Sequence, residues 1–369
     1  MTTDWMRVEN EAEIPSPSLF VFAERVEENL RRMIALAGSV ARLRPHIKTH
    51  KLAPIVAQQV ALGVTKCKCA TIAEAELAAR AGATDVMLAM QLVGPNVARW
   101  IALTRAFPGV AFSTLVDDPG ALAHYGRAAV AAGVTLELLI DLDVGFHRSG
   151  IAPGPAASEL YRALARTPGL RPGGLHAYDG HLQQSDRVER AAAADAGFAL
   201  VSALHTELKR EGLPVPRIVC GGTPSFPIHA RREGVECSPG TCVLWDAGYA
   251  KKIPDLDFLN AAVLLTRVIS RPAANRLCLD LGHKAVASEM PQPRVIFPAL
   301  LEAQAVVHSE EHLVIETPRA VEFPVGTALY GVPWHICPTT ALHETVHVVR
   351  DGRVTEQWRV EARARRLTF

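Results

Sequence analysis

A chain of 369 residues with 49% hydrophobic and 21% charged side chains has the composition of a folded globular protein, far from the low-hydrophobicity, high-charge mixture of disordered chains. Its 39 Lys and Arg against 38 Asp and Glu leave a formal net charge of +1, so nothing general draws it to nucleic acid or an anionic membrane, and a small neutral or zwitterionic partner fits better. Residues 1–16 carry four acidic side chains and no apolar core, and no later stretch supplies about 18 uninterrupted apolar residues, so neither a signal peptide nor a membrane span is expected and the predicted location is cytoplasmic.

The length exceeds the roughly 250 residues that one core usually serves, which predicts one large domain and a smaller one. Through the first two-thirds, short β-rich runs alternate with Ala-rich amphipathic stretches, the pattern of strand–helix units in a mainly parallel α/β sheet. The expected strands are Leu19–Val21, Arg42–His46, Lys66–Cys69, Asp85–Ala89, Ala111–Val116, Leu136–Leu142, Gly174–Tyr178 and Ile218–Cys220. Eight runs predict closure into a TIM-like (β/α)8 barrel over residues 17–255. The expected helices are Glu24–Ala37, Ala53–Leu62, Ile72–Ala81, Pro95–Ala106, Pro119–Ala132, Ala156–Ala165 and Arg187–Arg210, several of them ending at a glycine such as Gly63, Gly82 or Gly133. After Asp257 strand-like runs broken by turns predict a β domain over residues 256–369, to which residues 1–16 are joined. Asp351-Gly352 between two such runs is a hairpin signal.

Seven cysteines, an odd number and scattered, point to reduced thiols rather than a disulfide framework. Cys67 and Cys69 form a C-x-C pair, but in V-T-K-C-K-C-A-T-I strand alternation puts both sulfurs on one face, and they read as packed strand cysteines.

In a parallel barrel the chemistry sits at the C-terminal strand ends. The second run ends in R-P-H-I-K-T-H-K, which places His46, Lys48 and His50 near the mouth and makes Lys48 a candidate Schiff-base lysine; a solvated loop lysine is the plainer alternative. Cys220-Gly221-Gly222-Thr223-Pro224-Ser225 follows the eighth run and Ser238-Pro239-Gly240-Thr241 comes shortly after; glycine amides and hydroxyls in this place suit a phosphate, although Gly-Thr-Pro also makes ordinary turns. Asp141, Asp143, His147, Arg148, His176, Tyr178 and His181 lie just past buried runs, as mouth residues or as structural ion pairs. In the β domain, V-P-W-H-I-C-P-T-T sets His335 and Cys337 two apart, which in an extended segment turns both the same way and offers nitrogen and thiolate to a cation such as zinc; two ligands alone are not a site.

Taken together and in order, P-S-P-S-L-F-V-F, R-P-H-I-K-T-H-K, H-R-S-G, H-A-Y-D-G-H, G-G-T-P-S, S-P-G-T, S-E-E-H and P-W-H-I-C-P-T resemble the pyridoxal 5′-phosphate (PLP) enzymes of fold-type III, the alanine racemase-like group that includes D-threonine aldolase and eukaryotic-type D-serine dehydratase. The resemblance covers nearly the whole chain. It implies a Schiff base on Lys48, a phosphate held by Gly222, Thr223, Gly240 and Thr241, and a cofactor ring lined by Arg148 and Tyr178. It further implies a divalent metal (Zn, Mn or Mg) on His335 and Cys337, and a homodimer. The implied reaction is retro-aldol cleavage of a small D-3-hydroxy amino acid to glycine and an aldehyde, the β-hydroxyl proton passing to His46, to His181 or to metal-bound water. Cys337 departs from the Asp found in manganese-type aldolases and resembles the zinc-dependent dehydratases, so a D-serine or D-3-hydroxyaspartate dehydratase is the alternative. An amino acid racemase, or a PLP-binding protein without turnover, fits less well, because the W-H-I-C-P segment offers His and Cys where a racemase needs a tyrosine.

Overall fold

The computed structural model describes residues 4–369, and residues 1–3 of the N-terminal stretch lie outside it. The chain divides into two compact units, one made of Met33–Lys48, Ala53–Gly240 and Ala364–Phe369, the other of the N-terminal segment through Arg32 with Thr49–Leu52 and Thr241–Arg363. No described helix is long and apolar enough to cross a membrane.

The first strand, β1 (Ser18–Phe22), is not a stave of the barrel, as its place before helix Ala23–Ala37 had suggested. It belongs to the second unit's sheet, where Phe20 pairs with both Val263 and His347. All five of its residues are buried, so the run reads equally well as a central strand of either sheet.

The barrel strands are β2 (Lys66–Cys69), β3 (Asp85–Gln91), β4 (Ala111–Val116), β5 (Leu136–Leu142), β6 (Leu170–Ala177), β7 (Ile218–Cys220) and β8 (Val235–Cys237), hydrogen-bonded in that order and all parallel. Sequence alternation misses β8 because three residues are too few to show a period. The run expected as the strand Arg42–His46 begins instead as a 3₁₀ turn, Val40–Arg42, and continues irregularly. Pro45 has no N–H to give a ladder. Leu43–His46 nevertheless bridges the two sheet edges: Leu43 pairs with Cys237 and His46 with Lys68, Arg44 N donates to Cys237 O at 2.9 Å, and Lys68 N donates to Pro45 O at 2.8 Å. The sheet thus curls into a TIM-like α/β barrel closed by an irregular eighth stave.

The predicted helices form on the outside with shifts of one residue or so at their ends: Ala53–Ala61, Ile72–Arg80, Asn96–Ala106, Pro119–Ala132, Pro155–Arg166 and Arg187–Arg210. Thr71, Asp118 and Asp186 cap three of them through side-chain oxygens, each satisfying otherwise orphaned N–H groups.

Alternation turns every second strand residue inward and stratifies the barrel interior. At the N-terminal ends lies a floor of ion pairs: Arg44, fully buried, donates to Asp85 Oδ2 and to Glu236 Oε2 at 2.7 Å each, Lys66 reaches Glu236 at 2.5 Å, and Arg217 pairs with Glu137. Burial pushes the Asp85 carboxyl up, but Arg44, then Arg217 and Lys66, hold it below the usual range. Above the floor is one apolar layer, Met87, Leu115, Leu139 and Val219, with Ala89 against it.

The second unit adds β9 (Ala262–Ala273), β10 (Arg276–Leu279), β11 (Val295–Ile296), β12 (Gln304–His308), β13 (Leu313–Glu316), β14 (Ala328–Pro333), β15 (Thr345–Arg350) and β16 (Arg353–Arg359). The long β9 is its hub, pairing with β1, β10 and β14. Asp351 and Gly352, both at positive φ (47° and 73°), make the expected hairpin between β15 and β16. The Ser309–His312 run is a turn between β12 and β13 docked on Gly282, where a Cβ would lie 2.0 Å from Glu310 O.

Arg44→Met should leave Glu236 with Lys66 alone and Asp85 with the longer contact to Arg217, and lower the unfolding free energy by about 3 kcal/mol at pH 7, measured by denaturant titration. Because the Asp85 carboxyl is depressed from 3.8, its share of that stability is complete above this value and fades as pH falls through the folded-state value, so the gap between variant and parent should narrow in acid. Equal midpoints at pH 7 would show that the floor does not brace the barrel.

Candidate active site

Above the apolar layer, at the C-terminal strand ends, the barrel opens into a cavity of about 350 Å³, a size ordinary for small-ligand pockets. Six of the residues singled out from sequence meet in its wall: His46, Lys48, Asp141, Arg148, His176 and Tyr178. Lys48 sits in the short turn Ile47–Thr49 that follows the irregular stave, with its Nζ 5.5 Å from the centre of the Tyr178 ring. The Arg148 guanidinium lies 4.9 Å from that ring and 4.8 Å from the ring of Phe146.

The wall also contains Lys68 and Gln91, which sequence reasoning passed over; Asp141 and His176 it left as mouth residues without a role. Lys68 projects inward from β2, nearly fully buried, its Nζ 5.4 Å from the Tyr178 ring centre. Asp141 Oδ1 meets His176 Nδ1 at 2.7 Å, while its Oδ2 accepts from Gln91 Nε2 at 2.8 Å and from Ser149 Oγ at 3.1 Å. Burial raises the Asp141 carboxyl, but His176, Gln91 and Ser149 outweigh it and keep the group below the usual carboxylate range. Burial, helped by the Lys68 charge, lowers His176 and keeps the ring neutral, and the contact with Asp141 sets the hydrogen on Nδ1. Nε2 is then a bare acceptor, buried and without a hydrogen-bond partner among the described residues, in the cavity wall.

The glycine loop follows β7 rather than the last stave, and the Ser-Pro-Gly-Thr loop follows β8. The two are joined, since Gly240 N donates to Thr223 Oγ1 at 3.1 Å. Gly221 takes φ +78°, and a Cβ on Gly222 would lie 2.9 Å from Tyr178 Cε2, so only bare backbone fits against that ring. Behind the loop, Ser225 Oγ accepts from Gly222 N at 3.2 Å and donates to Asp179 Oδ1 at 2.6 Å, and His229 Nε2 meets Asp179 Oδ2 at 2.7 Å. Nearby in sequence, Ser238 Oγ is buried without a partner. A phosphate fits this cradle of backbone and hydroxyl groups.

Not every expected residue joins the cavity. His181 stacks on Phe146, centroids 5.7 Å apart, and is not among the lining residues. Asp143 and His147 form an exposed pair at 2.8 Å that closes their own loop. Cys67 and Cys69 are fully buried and in no disulfide, packed on one face of β2 as its alternation implied.

In the second unit, His335 stands at the cap of helix Ile336–Leu342 and Cys337 in its first turn, so the pair is not on an extended segment as its spacing had suggested. Asp246, buried, fixes that helix start by accepting from Ile336 N at 3.0 Å. The two side chains are hydrogen-bonded: burial pulls His335 down, but Cys337 and then Glu289 raise it to about 9, while His335 and Thr49 draw the Cys337 thiol below its ordinary value against burial. Cys337 Sγ lies 3.2 Å from Thr49 Oγ1 and 3.5 Å from Thr241 Oγ1, and His335 Nδ1 lies 2.5 Å from Glu289 Oε1. A carboxylate on Nδ1 is the usual outer-shell support of a histidine ligand and leaves Nε2 for a cation. Among the described residues no group of three His, Cys, Asp or Glu is placed to hold a metal; a nitrogen and a thiolate are donors that suit a borderline-soft cation.

Two family models match successive parts of the chain: the alanine racemase N-terminal domain over residues 22–246 and the serine dehydratase domain over residues 261–349. The D-threonine aldolase of Arthrobacter sp. is 34% identical over 361 residues, spanning 95% of this chain and 93% of its own. The D-threo-3-hydroxyaspartate dehydratase of Delftia sp. strain HT23 is 27% identical over 378 residues, spanning 94% and 97%. The crystal structure of D-threonine aldolase from Filomicrobium marinum superposes with a TM-score of 0.89 at 30% identity over 96% of both chains. Barrel, strand-end lysine and full-length similarity agree, and the chain belongs to the D-threonine aldolase and dehydratase family of fold-type III, alanine racemase-like PLP enzymes.

Proposed function

We propose that this protein is a PLP-dependent lyase that cleaves D-3-hydroxy amino acids to glycine and an aldehyde. The observation that carries the reading is the placement of Lys48 in the wall of the barrel cavity, facing the Tyr178 ring against which the glycine loop packs.

Bound on Lys48, the cofactor would supply an electron sink for the pair released when a bond at the substrate's α-carbon breaks. Gly222, Thr223, Gly240 and Thr241 would hold its phosphate, and Tyr178 gives its ring a flat face. Arg148 adds a cation beside that face. His176 presents its Nε2 lone pair to a donor inside the cavity, held in that tautomer by Asp141. A divalent cation on His335 and Cys337 would supply Lewis-acid polarisation of the β-hydroxyl.

Cleavage of the Cα–Cβ bond needs the β-hydroxyl proton removed. His46 takes this role over His181, because His46 lines the cavity and His181 does not. His46 Nδ1 also lies 3.4 Å from Lys48 N, which sets the ring beside the lysine that would carry the cofactor.

Dehydration uses the same parts in another order, Lys48 removing the α-proton before the hydroxyl leaves. Cys337 favours this second reading, as the residue in which the chain departs from manganese-type aldolases. A homodimer in the cytoplasm, without nucleic-acid or membrane partners, completes the proposal.

With PLP and Mn²⁺ or Zn²⁺, D-threonine should yield acetaldehyde and glycine in equal amounts by mass spectrometry; 2-oxobutyrate in their place would make the protein a dehydratase. Lys48→Ala should abolish turnover and the visible absorbance of lysine-bound cofactor. His46→Gln should lower kcat by about 10²–10⁴-fold at unchanged cofactor content, with His181→Gln close to the parent; the reverse ranking would move the proton transfer to His181. Chelation, or Cys337→Ala, should release a metal measurable by elemental analysis and depress kcat, and full activity in a metal-free preparation would remove the cation from the mechanism.

A further inference from the structure

Among the described residues the barrel holds a buried cation, Lys68, without a counter-charge. In the floor, Arg44 and Lys66 each meet a carboxylate at 2.5–2.7 Å. Lys68, two residues along the same strand, is only 2% exposed, yet among the described residues its Nζ makes neither a hydrogen bond nor an ion pair. Asp141 is an acidic residue of the cavity wall, but both of its oxygens are engaged, Oδ1 by His176 and Oδ2 by Gln91 and Ser149. Burial, with Lys48 acting in the same sense, lowers the Lys68 amine to about 7 against the pull of Asp141.

The backbone that carries this amine is fixed. Lys68 N donates to Pro45 O at 2.8 Å and Lys68 pairs with His46, so its backbone is strapped to the stave that leads to Lys48. Its Nζ and that of Lys48 stand at nearly equal distances, 5.4 and 5.5 Å, from the centre of the Tyr178 ring. Leaving an ammonium buried and unpaired is costly, and the strand does not need one there, because β2 already contributes Lys66 to the floor. The absent counter-charge is therefore one that arrives with the ligand.

We propose that Lys68 is a second ligand-facing amine of the active site, whose ammonium binds an anionic oxygen brought into the cavity. The oxygen is either the ring phenolate of the cofactor or the carboxylate of the amino acid. This rests on the functional reading given above. At an amine this deeply buried such a contact is stronger than at a surface, so Lys68 both anchors the ligand and stabilises negative charge during the reaction.

The test uses the full-length protein reconstituted with PLP, as parent, Lys68→Met, Lys68→Gln and Lys68→Arg. Three quantities are read: the cofactor dissociation constant, the position of the visible absorbance band, and the binding of glycine against 2-aminoethanol, which has the amine and no carboxylate. If the phenolate is the partner, Lys68→Met and Lys68→Gln weaken cofactor binding about tenfold or more and move the band, and the preference for glycine is kept. If the carboxylate is the partner, cofactor binding and band stay as in the parent while glycine binding falls about tenfold or more and 2-aminoethanol does not change. Lys68→Arg restores part of the loss in either case. Parent-like values for all three quantities in a folded neutral variant overturn the proposal and leave Lys68 a packing residue. A parent that takes up no cofactor overturns the functional reading itself, a result distinguishable from the first.

Discussion

The buried guanidinium of Arg44 is the constraint on which the reactive end of the barrel depends. Its stave cannot be held by a regular ladder, since Pro45 interrupts the donors and only a few backbone hydrogen bonds tie it to β2 and β8. Arg44 supplies what the ladder lacks by joining Asp85 on β3 to Glu236 on β8, the strands that flank the gap on either side beyond β2. Two residues later the same stave turns His46 into the cavity, and four residues later comes Lys48. The position of the candidate nucleophile is thus set from below, by an ion pair separated from it by a single apolar layer.

The layering also shows how a barrel interior can be polar at both ends. Charged groups survive in the floor because each meets an opposite charge, and Asp141 survives at the mouth because three donors surround it. Against that background the unsatisfied atoms are informative. Among the described residues His176 Nε2 lacks a hydrogen-bond donor and the Lys68 amine lacks a carboxylate partner, and the two side chains lie in the wall of one cavity. A ligand carrying both a hydrogen-bond donor and an anionic oxygen complements that pair, as a zwitterionic amino acid on a pyridine cofactor does.

Much of this was readable from the chain. Helix positions followed from Ala-rich amphipathic periods and capping residues, and R-P-H-I-K-T-H-K led directly to Lys48. The failures have physical causes. Leu19–Val21 is apolar on both faces, so nothing local distinguishes a barrel stave from the middle of the other sheet, and Val235–Cys237 is too short to show alternation. His335 and Cys337 were read as extended because spacing alone does not reveal that Asp246, far off in sequence, starts a helix between them. Lys68 was missed although the signal was present: the alternation that put both cysteines of K-C-K-C on one face necessarily put both lysines on the other.

That four-residue strand has a consequence for chemical durability. A cavity that releases an aldehyde is a hazard to its own walls, and thiols are the softest nucleophiles a protein has. On β2 the sulfurs of Cys67 and Cys69 are fully buried on the side away from the cavity, and burial pushes the Cys67 thiol up to about 12, so it stays protonated. The nucleophiles that this strand leaves facing the product are amines, whose condensation with aldehydes reverses in water. By sorting sulfur from nitrogen across one pleat, β2 offers the electrophile only partners that can let it go.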